Sequence, residues 1–78
     1  MSELAEDADT RVNTARAKTQ AAVTAMEDAR RTLGEIIDEG APTSVRDLIT
    51  FASVDLGHSI REAGKAVREM TQAIGDEQ

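Results

Sequence analysis

The residues of this chain that are best suited to chemistry are an aspartate and a histidine three positions apart. Asp55 and His58 lie in the stretch Asp47–Ile60, and His58 is the only histidine. A carboxylate and a histidine at i and i+3 share a helical face, and di-metal sites in helical bundles use this spacing with glutamate. If the chain folds back on itself, Asp28 comes to lie opposite Asp55. These residues form a candidate metal site, although aspartate replaces the usual glutamate.

The four residues HSIR, from His58 to Arg61, resemble the phosphoacceptor helix of histidine phosphotransfer proteins. In that family an exposed histidine precedes a basic residue by three positions. The resemblance implies a phosphorylatable His58 in a four-helix context, which only dimerisation could provide here. Glu62 stands where the family has glycine after the basic residue. A ferritin-like metal-binding bundle and a phosphotransfer protein, each centred on His58, are the alternative functions, and an exposed His58 without a role is the simplest interpretation.

Other catalytic chemistry lacks its components. The chain has one histidine and no cysteine, and its serines and threonines are scattered along helical stretches. Neither a glycine-rich phosphate loop nor a strand-to-helix turn that would expose a nucleophile is present in the sequence pattern. We therefore expect no enzymatic activity and no cofactor.

Charge and hydropathy limit the partners. The formal net charge is −6, and acidic residues are spread along the chain, whereas nucleic-acid binding requires a concentrated basic face. No apolar run is long enough to span a bilayer, and the acidic start differs from a signal peptide. We expect neither nucleic acid nor membrane as a partner, and we expect a location in the cytoplasm or in a virion or other assembly made there. The absence of cysteine agrees with a reducing compartment.

One turn divides the chain into two helical segments. Gly40 is placed for the end of a helix and Pro42 follows two residues later, where a helix cannot simply continue. Thr43 or Ser44 can cap the next helix. The pattern predicts a single domain over residues 1–78, with helix 1 at about 2–39, a loop at 40–43, helix 2 at about 44–74 and a short tail at 75–78.

Apolar residues in both segments recur in steps of three and four, which predicts an antiparallel, alanine-rich helical hairpin. A short loop pairs residues whose numbers sum to about 83, so small residues face larger ones and Met26 lies opposite Gly57. The predicted seam consists of Ala8, Val12, Ala15, Ala22, Met26, Ala29, Leu33 and Ile36 in helix 1, and Ile49, Leu56, Gly57, Ile60, Ala63, Val67, Met70 and Ile74 in helix 2.

The hairpin is not expected to stand alone. Alanine buries little apolar area, and ordering costs roughly 1.5 kcal/mol per residue, so a lone hairpin should have a net stability near zero. The sequence therefore predicts an all-α fold in which two hairpins dimerise into a four-helix bundle. We expect an interaction module that homo-oligomerises, with a dimer favoured, or acts as an adaptor or structural subunit with another protein. The predicted contact residues are Ile37, Val45, Leu48, Phe51, Ala52, Ser59 and Ala66.

Overall fold

A computed structural model of the protein describes residues 6–75. Two α-helices of 33 residues each, α1 (Glu6–Asp38) and α2 (Thr43–Gly75), pack against each other as a hairpin. The predicted all-α hairpin is therefore confirmed. The described helix ends lie within one residue of the predicted ones, and the predicted start of helix 1 at residue 2 lies outside the described residues.

The end of α1 is stabilised by a glycine with a left-handed backbone. Gly40 has a φ of 95°, which is costly for any residue with a Cβ atom. Its N–H donates to the Ile37 carbonyl at 3.0 Å, and the Glu39 N–H donates to the Glu35 carbonyl at 2.9 Å. These bonds satisfy carbonyl groups that have no partner within the helix. Gly40 thus lets the chain leave α1 without losing its final hydrogen bonds.

The start of α2 is determined by the proline of the loop. The Pro42 carbonyl accepts hydrogen bonds from the N–H groups of Val45 at 3.0 Å and Arg46 at 2.9 Å. The bond from Arg46 is the first i to i−4 bond of the helix, so Pro42 occupies the N-cap position. The expectation that Thr43 or Ser44 would cap the helix is corrected by one or two residues, because the helical bonding already begins at Pro42.

The hairpin is a thin rod. Its radius of gyration is 17.3 Å and its extents are 56 × 16 × 14 Å, whereas a compact domain of this length has a radius of gyration of about 11.5 Å. No residue between 7 and 75 is buried; the best-covered ones are half-buried. Two helices shield each other along one line only, so every described side chain remains partly in contact with solvent.

The half-buried residues define where the two helices meet. In α1 they recur in alternating steps of three and four, and α2 shows a matching line. The α1 line includes Val12, Arg16, Thr19, Val23, Met26, Leu33 and Ile37, and the α2 line includes Ile49, Ser53, Leu56, Gly57, Ile60, Ala63, Gly64, Val67, Met70 and Ile74.

The alanines of α1 lie elsewhere than predicted. Ala8 is half-buried, but Ala15, Ala22 and Ala29 are exposed, and so is Ile36. The interface keeps a seven-residue repeat through Val12, Thr19, Met26 and Leu33, but its second line follows these residues by four positions instead of three, so the alanines lie on its flank. The seam prediction is corrected for these four exposed residues.

In the hairpin interface, the place predicted for each of these residues is taken by the residue that follows it in the sequence. Arg16, Val23 and Ile37 are half-buried along this second line, in which Arg30 occupies the intervening repeat. Ile37 was expected to contact a second subunit, and the structure instead places it in the hairpin interface. One residue turns the helix by about 100°, so this line faces α2 while the alanines lie to its side.

Two glycines of this region should respond oppositely to alanine. In Gly40→Ala the added Cβ is strained by the positive φ, and we expect a loss of about 1 kcal/mol. Gly34 lies inside α1 with open space where a Cβ atom would stand, so Gly34→Ala should gain about 0.5–1 kcal/mol through helix propensity. Urea unfolding followed by circular dichroism at one fixed protein concentration measures both. Equal effects of the two changes would contradict this assignment.

Candidate functional site

The residues of the candidate metal site are not gathered by one hairpin. Asp28 forms an ion pair with Arg31 on α1, and both side chains are exposed. His58 is exposed on α2, and its Nδ1 lies 3.4 Å from Nη2 of Arg61. No group of three His, Cys, Asp or Glu residues suited to a metal ion occurs within residues 6–75. A cation at His58 would also be opposed by the Arg61 guanidinium.

Two arginines of α1 reach across to α2. Nη1 of Arg16 donates to Oγ1 of Thr71 at 3.1 Å, and the Thr71 hydroxyl in turn donates to the Val67 carbonyl at 2.9 Å. Nε of Arg30 donates to Oγ of Ser53 at 3.4 Å. The contact between Arg30 and Ser53 agrees with the expected register. These hydrogen bonds join the two helices along one edge of the hairpin through polar side chains.

Gly57 makes room for one of these arginines. A Cβ atom at Gly57 would lie 3.2 Å from Cζ of Arg30, so the bare backbone lets the guanidinium lie close against α2. The sequence placed Met26 opposite Gly57 and did not predict this contact with Arg30. The arginine side chain leans towards the N-terminus of its helix and so reaches the level of the preceding turn. Gly64, one heptad further on, has only the Arg68 guanidinium nearby, at 3.9 Å.

These contacts lie on one broad side of the rod, which we call the polar side. A shallow depression of about 300 Å³ on this side is lined by Gln20, Val23, Thr24, Gly64 and Val67. Because the helices run in opposite directions, they turn in opposite senses when viewed along the rod. A residue that follows an interface residue in α1 therefore lies on the same broad side of the rod as a residue that follows an interface residue in α2.

The opposite broad side, which we call the apolar side, collects small and apolar residues from both helices. Helix geometry places on it Ala15, Ala22, Ala29 and Ile36 of α1, and Val45, Leu48, Ala52, Ser59 and Ala66 of α2. Three large side chains are exposed there: Ile36 by 38%, Val45 by 43% and Leu48 by 70%. Ala52 and Ser59 are also exposed, and Ala66 is half-buried at the edge of the interface. Most of the predicted contact residues thus share one surface.

Phe51 does not belong to that surface. It follows Leu48 by three residues, a rotation of about 60°, and this turns it to the outer face of α2, directly away from α1. Phe51 is 64% exposed, and Val54 beside it is 49% exposed. Val54 was not among the predicted contact residues; its spacing of three from Phe51 was the available signal. Arg16 and Arg30 were also missed, although they fall on a seven-residue spacing with Val23 and Ile37.

Comparisons with protein-family models, with curated proteins and with solved structures give no match to this chain. Within residues 6–75, neither helix has a stretch long and apolar enough to cross a membrane. We therefore infer function from the surfaces of the hairpin itself.

The contact between Arg30 and Gly57 makes a prediction about two glycines in the same helix. Both Gly57→Ala and Gly64→Ala should gain about 1 kcal/mol from helix propensity. At Gly57 the new Cβ must push the Arg30 guanidinium aside, so we expect a smaller gain there than at Gly64. Urea unfolding of both variants gives the two values.

A double-mutant cycle identifies the cause of the difference. In an Arg30→Ala background, Gly57→Ala should recover the gain that Gly64→Ala shows in the parent. If Arg30→Ala leaves the effect of Gly57→Ala unchanged, the guanidinium is not what limits alanine at this position.

Proposed function

We propose that this chain is a non-enzymatic protein–protein interaction module that pairs with a second copy through its apolar side, forming a four-helix bundle. The observation that supports this most directly is the common placement of Ile36, Val45 and Leu48, which are exposed together on one broad side of a rod whose described part, from residue 7 to 75, contains no buried residue. Large apolar side chains grouped on one surface are typical of interaction sites.

Burial energetics favour covering this side. Fully burying a Val, Leu or Ile side chain contributes about 1.5–3 kcal/mol. Two copies would bring together six such side chains, three from each hairpin. The second layer of helices would also supply the fully buried core that two helices cannot create, because each helix would then have neighbours on two sides.

The small residues favour close stacking. Ala15, Ala22 and Ala29 on α1 and Ala52 and Ser59 on α2 are all exposed on this side. Small side chains allow helix axes to approach to about 8 Å, near the lower end of the usual range. The larger Ile36, Val45 and Leu48 lie near the loop end, where they would pack against the facing helices of the second copy. This combination suits helix-on-helix packing better than contact with a flat surface.

The charges at the rims of the apolar side favour a second copy with its loop at the same end. By helix geometry the α1 rim carries Arg11 and Lys18, and the α2 rim carries Asp55 and Glu62. Stacking α1 on α2 of the other copy brings basic and acidic rims to the same edge. Stacking α2 on α2 instead would place acidic rims together, which is unfavourable. One chain therefore carries both the basic rim and the acidic rim that this pairing brings together.

The alternative functions centred on His58 have less support. The described part of one hairpin does not bring Asp28, Asp55 and His58 together as a metal-binding group, and Asp28 is paired with Arg31. His58 is exposed and lies beside Arg61, as the resemblance to phosphotransfer proteins requires, but no further contact within the described residues supports phosphoryl transfer. We therefore propose an adaptor or structural subunit, with self-association as its primary activity.

A matched pair of substitutions tests the apolar side. Ala21 and Ala22 are neighbours in α1 and are both exposed, but only Ala22 lies on the apolar side. Ala22→Glu should weaken self-association at least tenfold, because it places a carboxylate within the bundle core. Ala21→Glu adds the same charge on the outer face of α1 and should leave association unchanged. Sedimentation equilibrium over a concentration series measures both.

Two results would count against the pairing. If Ala22→Glu and Ala21→Glu associate equally well, the apolar side is not the contact. If the parent chain sediments with the 8.4 kDa mass of one copy at micromolar concentration and still melts cooperatively, the hairpin does not need a partner at all.

A further inference from the structure

The outer face of α2 carries a second helical stripe that the hairpin does not use. Asp47, Phe51, Val54, His58 and Arg61 follow one another in steps of four, three, four and three, and all five are exposed. Alternating steps of four and three are the spacing by which two helices pair along a seam. We call this set the outer stripe; it faces away from α1.

The order of residue types along the outer stripe is informative. An acidic residue, Asp47, stands at one end, two apolar residues occupy the middle, and His58 and Arg61 stand at the other end. A parallel copy would place Asp47 against Asp47 and Arg61 against Arg61, which is electrostatically unfavourable. An antiparallel copy reverses the order, so that opposite charges meet at both ends. The stripe is therefore complementary to itself in one direction only.

The antiparallel arrangement also matches side chains layer by layer. With the two-fold axis midway between Phe51 and Val54, Phe51 packs against Val54 of the second copy and Asp47 lies opposite His58. Antiparallel helical pairs form such alternating layers along a heptad seam. The side chains of the two apolar layers are accessible to a partner, with Phe51 64% and Val54 49% exposed.

The side chains at the basic end are already placed to receive an acidic group. Nη2 of Arg61 lies 3.4 Å from Nδ1 of His58, so the two side chains stand together on one turn of the helix. A side chain leans towards the N-terminus of its own helix. Asp47 of an antiparallel copy, opposite His58, would therefore lean towards Arg61. The carboxylate would meet both groups.

We propose that a second copy of this chain docks antiparallel on the outer stripe, with Phe51 packed against Val54 and Asp47 paired with His58 and Arg61. This contact uses a different face from the apolar side and does not require it. Two different two-fold contacts on one protomer extend an assembly beyond a dimer, to a closed tetramer or to a filament. The chain would then act as a repeating subunit of a larger structure.

Disulfide cross-linking tests this register, because the chain contains no cysteine. Asp47→Cys and His58→Cys are made as separate variants of the full chain. The two positions are about 16 Å apart along one helix, so they cannot bridge within a molecule. Under mild oxidation, the mixture of the two variants should give several-fold more covalent dimer than either variant alone.

A control at the same level of the helix separates register from random collision. Thr50 and Asp55 flank the outer stripe on opposite sides. In the proposed pairing, Thr50 of one copy lies at the same height along the helix axis as Asp55 of the other copy. The two residues nevertheless lie at opposite edges of the contact. A mixture of Thr50→Cys and Asp55→Cys should therefore give no more covalent dimer than the single variants. Cross-linking there equal to that of Asp47→Cys with His58→Cys would overturn the proposal.

Other outcomes are equally decisive. Strong cross-linking of Asp47→Cys with itself would show a parallel contact, and no excess in any mixture would show that a second copy does not dock on the stripe. Repeating the mixture in the Ala22→Glu background separates this proposal from the apolar-side pairing. Cross-linking that persists there supports the outer stripe even if the four-helix bundle proposal fails.

A charge exchange gives an independent readout. In the Ala22→Glu background, Asp47→Arg or Arg61→Asp should each weaken the remaining self-association several-fold. The double variant Asp47→Arg/Arg61→Asp restores opposite charges across the contact and should recover it. If the losses of self-association in the two single variants simply add in the double variant, each substitution acts within its own helix. That result would contradict the proposed pairing. Sedimentation at a fixed ionic strength measures all four forms.

Discussion

The structure depends on how little two helices can hide from water. A helix shields its partner along one narrow line, so no residue between 7 and 75 is buried. The interface includes polar residues such as Arg16 and Thr19, and even its large aliphatic residues are only half-buried. Apolar residues that the hairpin interface does not cover remain exposed to water unless another molecule covers them. Exposed residues such as Leu48 and Phe51 are the direct consequence of that geometry.

A second constraint sorts the two sides of the rod. In α1 the half-buried residues recur every seven positions, and the residues one place before Arg16, Val23 and Ile37 lie about 100° around the helix. Ala22 and Ala29 therefore lie exposed on one side, whereas Arg16 and Val23 are half-buried. One broad side of the rod therefore carries small and apolar side chains. The other is closed by arginine contacts, for which Gly57 provides space.

The two surfaces considered for association differ in what they offer a partner. The apolar side is broad and formed by both helices, which suits stacking of one hairpin on another. The outer stripe is narrow and formed by α2 alone, and its charges are ordered along the helix. Together they would allow one small chain to make two kinds of contact with copies of itself, which is the requirement for a subunit that builds larger assemblies.

Much of the fold was predictable from the sequence because local signals decide it. Gly40 and Pro42 mark the turn, and the steps of three and four mark two helices, since backbone strain and helical period act over a few residues only. The surfaces were not predictable in the same way. Whether Ala22 or Val23 faces the partner helix, and whether Phe51 shares a face with Leu48, depends on how each helix is rotated about its own axis relative to the other. The sequence by itself determined the helices, the turn and their antiparallel pairing. Only the tertiary structure decided which faces remained exposed, because steps of three and four fit two neighbouring lines on the same helix, and the packing of α1 against α2 selects one of them.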